Sequence, residues 1–108
     1  MSDELRNLKE DVLREILGVA KGVLPDSEER EFWAETAELI AVEKLRYAQA
    51  STPEEKMRVK ENLDILKRTT ETRLARKRLR GRKSAQKIVM LVFKVAINKF
   101  LPGAGFLI

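Results

Sequence analysis

The densest chemistry in this chain is cationic. Residues 73–87 read RLARKRLRGRKSAQK and hold eight bases (Arg73, Arg76, Lys77, Arg78, Arg80, Arg82, Lys83 and Lys87) with no acid among them. Lys67 and Arg68 precede the run. A cluster of guanidinium and ammonium groups is suited to phosphate, anionic lipid headgroups or an acidic protein surface. The other reactive kits are missing. The chain has no His and no Cys, so it lacks the usual general base, the commonest metal ligand and any thiol nucleophile. Its serines (Ser2, Ser27, Ser51 and Ser84) all stand at expected helix starts, and no imidazole is present to activate a hydroxyl. There is no Gly-rich phosphate loop, no Asp-rich calcium loop and no Glu-x-x-His pair for a metal inside a bundle. The expectation is a non-enzymatic protein with no metal, no cofactor and no small-molecule substrate.

Charge is unevenly placed along the chain. Residues 1–50 carry 12 acids and 7 bases, whereas residues 51–108 carry 5 acids and 15 bases. Two halves of opposite sign either attract each other or serve different partners. The acidic N-terminus, Met1-Ser2-Asp3-Glu4-Leu5, lacks an apolar run and does not read as a signal peptide. Together with the absence of Cys, this leads to an expected cytoplasmic location, with a membrane surface as the variant.

The elements that position the basic run are helices. Leu5, Leu8, Val12, Ile16, Val19 and Val23 recur at three or four residues behind the acidic turn Asp3-Glu4, which predicts a first helix over 3–22. Pro25 ends it, and Asp26-Ser27-Glu28-Glu29 caps a second over 27–50, with Trp33, Ala37, Ile40, Ala41, Leu45 and Ala48 as its stripe. Thr52-Pro53-Glu54-Glu55 sets a cap, a first-turn proline and an acid at the third position, opening a helix over 53–80 with Val59, Leu63, Leu66, Thr70 and Leu74 on one face. Ser84 opens the last, over 84–100, before an apolar tail over 101–108. The fold expected is all-α: a single domain of four helices, dominated by an elongated antiparallel hairpin of the second and third. That hairpin brings Glu35 near Arg68, Glu31 near Arg73 and Glu28 near Arg76, so part of the basic run is answered internally by surface pairs worth under about 1 kcal/mol each. Arg78, Arg80, Arg82 and Lys83 overhang the hairpin, and with Lys87 they are the candidate anion or partner site.

The C-terminal helix offers a second kind of surface. Lys83, Lys87, Lys94 and Asn98 share one side, and Ile88, Leu91, Val92, Val95 and Ala96 are read as the opposite, apolar side, with Met90 and Phe93 flanking. Such a face either completes the core, as is usual in small helical proteins, or is offered to a neighbour or to lipid. In the second case Ile88, Leu91, Val92, Val95, Phe100, Phe106, Leu107 and Ile108 form the apolar contact. A membrane span is not expected, because Lys94, Lys99 and Pro102-Gly103 interrupt the stretch. Three functions follow. The first is a structural or adaptor protein that binds other chains, or copies of itself, through apolar helix faces and its C-terminal segment. The second is a peripheral membrane binder using the basic run and the amphipathic helix. The third is a non-specific nucleic-acid binder, the weakest of the three, since no aromatic residue lies between Lys67 and Lys87 to stack on bases.

Overall fold

The computed structural model describes residues 3–20, 26–77 and 82–102, with Asp26, Ser27 and Arg82 described by backbone alone. Four helices fill this range: α1 (Asp3–Ala20), α2 (Asp26–Gln49), α3 (Pro53–Lys77) and α4 (Arg82–Phe100). The expected stop at Pro25, the expected end of the third helix over 78–80 and the apolar tail beyond residue 102 lie outside the described residues.

The α2–α3 turn forms as its residue types dictate. The Thr52 hydroxyl accepts the Glu55 N–H at 3.1 Å, and the Glu55 carboxylate accepts the Thr52 and Ser51 hydroxyls at 3.2 and 3.3 Å. Pro53, at the first helical position, forfeits only an N–H that has no intrahelical partner. From this turn α2 and α3 run antiparallel, which three side-chain pairs record along their length. The Asn62 amide donates to Glu43 at 3.2 Å, Arg73 donates to Glu35 at 2.5 Å, and Lys77 lies 3.8 Å from Glu28. The register expected from sequence holds to about one residue at Glu28, which meets Lys77 rather than Arg76, and departs by five residues at Glu35. Glu35 meets Arg73 rather than Arg68, and Arg68 is taken by Asp64 of its own helix at 2.9 Å. Arg73 explains the difference, because its guanidinium also lies 5.3 Å from the centre of the Phe32 ring, three residues before Glu35 and on the same side of α2.

Helix α1 packs on α2 and α4, and α4 also packs on α3, so the contacts close into a ring around one core. The hairpin sets the longest dimension at 43 Å, yet the radius of gyration is only 13.6 Å, because α1 and α4 lie along it. That is close to the roughly 13 Å of a compact chain this size. The core holds Val12, Leu13 and Ile16 of α1, Phe32, Trp33, Ala37 and Ile40 of α2, Val59, Leu63 and Leu74 of α3, and Val89, Val92, Phe93, Ala96 and Ile97 of α4. Phe32 and Trp33 meet edge to face at 4.7 Å between ring centres. Two polar groups are buried with partners. Glu43 accepts from Arg46 at 2.8 Å and from Asn62, and the Thr70 hydroxyl donates to the Leu66 carbonyl at 2.7 Å. Both follow the rule that burial demands a hydrogen bond.

Candidate functional site

The rotation of α4 decides which side chains can meet a partner. Ala85, Val89, Val92, Phe93, Ala96, Ile97 and Phe100 are buried, at steps of four, three, one, three, one and three residues. This is the helical spacing of one inward face. Two contacts clamp the C-terminal end of the helix. The Lys44 ammonium donates to the Phe100 carbonyl at 2.8 Å, satisfying a carbonyl with no intrahelical partner and placing a cation at the negative end of the helix. Lys99 pairs with Glu15 of α1.

The apolar face expected from sequence is corrected by this packing. Val92 and Phe100 are buried in the chain's own core, so neither is offered to lipid or to a second chain. Leu91, expected beside them, is 50% exposed. The physical reason is spacing: Leu91 is four residues after Lys87 and three before Lys94, and residues so related share a helix face. Ile88 and Val95 are half-buried at the margin. Phe93, expected as a flank, is fully buried, and Val89 and Ile97 join the core without having been singled out. Residues 88–93 are apolar throughout, so hydropathy alone does not orient them; Lys87, Lys94 and Asn98 do.

Of the candidate cations, Lys83 and Lys87 are exposed on the outward side of α4. The Arg82 backbone begins the helix, its side chain is not described, and Arg78 and Arg80 lie outside the described residues, as do Phe106, Leu107 and Ile108. The structure adds two neighbours to the site: Lys94, exposed two helical turns beyond Lys87, and Met90, which is 50% exposed. The signal for Lys94 was its seven-residue spacing from Lys87. The outward face is therefore a row of three ammonium groups, Lys83, Lys87 and Lys94, around the half-exposed side chains of Met90 and Leu91. Among the described residues no carboxylate pairs with any of the three. The reason lies in the sequence, since Glu71 is the last acid in the chain.

Other surface features are built differently. A groove of about 490 Å³ at the α2–α3 turn is lined by Arg46, Gln49, Glu55, Arg58, Val59 and Asn62. Two of its polar walls, Arg46 and Asn62, are already engaged with Glu43. Among the described residues no group of three acids is placed to hold a metal ion, and no helix is long and apolar enough to cross a membrane. The outward face of α4 offers point charges and two small apolar contacts. No protein-family model, no curated protein and no solved structure matches this chain.

Proposed function

We propose that the chain is a non-enzymatic helical structural or adaptor protein that binds another protein chain through the outward face of α4. One observation carries this reading. Lys83, Lys87 and Lys94 stand exposed around Met90 and Leu91 with no carboxylate partner among the described residues, while the other side of the helix is committed to the core. A surface with a small apolar centre and a rim of one charge fits a partner with an acidic rim, which gives register and rate of encounter more than raw affinity. Of the two surfaces that the sequence offered, the cationic side with Lys83 and Lys87 takes the contact in this reading, in place of the apolar side. The cytoplasmic location belongs to the same proposal.

A second reading, an anionic membrane surface, rests on the same lysines, each worth about 1 kcal/mol near acidic lipid. An interfacial helix also buries a broad apolar face in the headgroup region. Here that face is inside the protein and only Met90 and Leu91 remain on the outward side, so the protein partner is favoured.

The test is a photoreactive amino acid placed at position 91 in living cells. Position 65 serves as comparison, since Ile65 is 61% exposed on α3. A protein adduct at position 91 that disappears in Lys87→Glu/Lys94→Glu supports the proposal. An adduct to lipid alone replaces it with the second reading, and no adduct at position 91 overturns both.

A further inference from the structure

We infer that the partner of the α4 face is a second copy of this chain, which docks the outward face of its α2 there. This rests on the reading of α4 as a protein-binding face and names the occupant. The complement is present on the same molecule. α2 carries seven acids and three bases, whereas α4 carries five bases and no acid. Glu28 and Glu35 of α2 are engaged with Lys77 and Arg73 of α3, but Glu31 and Glu38 pair with no cation among the described residues. They are seven residues apart on the side of α2 away from the core, with Val42 half-buried next to them and Leu39 47% exposed at the edge. On α4 the unpaired Lys87 and Lys94 are also seven residues apart, with Met90 and Leu91 between them. Seven residues span about 10.5 Å on either helix. Two carboxylates and two ammonium groups therefore meet pair for pair when one helix lies along the other, and the apolar side chains meet in the same contact.

Lipid offers no such match in spacing, and it would meet only two apolar side chains of α4. The two docking faces are different surfaces, so the contact is heterologous. Each added copy leaves one α2 face and one α4 face open, and assembly proceeds head to tail without a fixed end. One helix-on-helix contact lies below the roughly 1,200 Å² of stable interfaces. Its ion pairs are exposed, so association is weak, rises with concentration and is screened by salt.

Sedimentation velocity on the full chain tests this, over a wide concentration range at about 0.01 M and about 0.15 M ionic strength, where the screening length falls from about 30 Å to about 8 Å. The expected result at low salt is a weight-average mass that climbs with concentration without a plateau. At the higher salt the apparent association constant falls at least about tenfold, in line with that screening. Glu31→Lys/Glu38→Lys and Lys87→Glu/Lys94→Glu are each expected to stay monomeric alone, and their equimolar mixture to recover the climb in mass. A wild-type chain that stays monomeric at low salt overturns the inference, as do variants that associate as the wild type does. Failure here is distinguishable from failure of the broader reading. With a monomeric chain, a position-91 adduct to a different protein keeps the adaptor proposal, whereas the absence of any adduct removes that too.

Discussion

Replacing Phe93 and Leu91 by Ala, one at a time, asks which side of α4 belongs to the core. The two residues are close in sequence, and by hydropathy they are equivalent. Phe93 is fully buried, and its loss removes a ring from a closed core that includes Val89, Ile97 and Leu63. Phe→Ala at such a site costs about 3–5 kcal/mol, the transfer term plus the cavity left behind. Leu91 is 50% exposed. Full burial of a leucine is worth about 1.5–3 kcal/mol, so the half that is buried is worth about 1 kcal/mol, and the better helix propensity of Ala returns part of it. The structure thus separates the two substitutions by at least about 2 kcal/mol, against a total stability of about 5–15 kcal/mol for a domain. Urea unfolding reads this directly. Trp33 is the only tryptophan and is fully buried, so its emission reports loss of the core. At a slope of about 1–3 kcal/mol per molar urea, the Phe93→Ala midpoint falls by roughly 1–5 M, while Leu91→Ala moves by less than about 1 M. Equal shifts, or a larger one for Leu91→Ala, would refute the rotation of α4 and every functional statement built on it.

Three further outcomes are expected from the hairpin. Thr52→Ala removes the hydroxyl that caps α3 and is expected to cost about 0.5–2 kcal/mol in urea unfolding, with Thr52→Ser near wild type. Arg73→Lys keeps the charge beside Glu35 but loses the planar group over Phe32, so it is expected to recover only part of the loss seen in Arg73→Ala; full recovery in thermal melts would show that the ring contact contributes nothing. Asn62→Leu strips a donor from the buried Glu43 carboxylate and is expected to destabilise by about 1–3 kcal/mol. The double variant with Glu43→Leu is expected to recover stability relative to Asn62→Leu alone, checked by a double-mutant cycle.

Much of this architecture was legible in the residues. The cap at Thr52 with Pro53 and Glu55 located the start of α3, and hydroxyl-to-backbone geometry confirmed it. On α3 the spacing of Val59, Leu63, Leu66, Thr70 and Leu74 marked the inward face, with Leu66 half-buried at its margin, because the remaining sides are mostly polar apart from the exposed Met57 and Ile65. The acidic start of α2 and the basic end of α3 located the hairpin, although the partner of Glu35 shifted by five residues, from Arg68 to Arg73. Charge alone does not set a register to within a turn, since Glu28, Glu31 and Glu35 are spaced almost a helical turn apart and are interchangeable to a cation. Arg73 was placed by its ring contact with Phe32, which is a tertiary fact. The outward side of α4 was legible in its polar half. Lys87, Lys94 and Asn98 are outward as their spacing required, but the run Ile88–Phe93 offered an apolar residue at every angle, and packing against α1 and α3 chose Val89, Val92 and Phe93 over Leu91. Hydropathy carries no information about rotation when every position is apolar.

Methionine oxidation compares the proposed face with an internal control in a single sample. Met90 is 50% exposed on the outward side of α4, and Met57 is 51% exposed near the start of α3. Equal exposure makes the two thioethers comparably open to a mild oxidant on the isolated chain. In intact cells the account predicts that Met90 is oxidised more slowly than Met57, because a protein partner covers Lys87, Met90, Leu91 and Lys94 for part of the time. Equal oxidation of the two methionines in cells would contradict it.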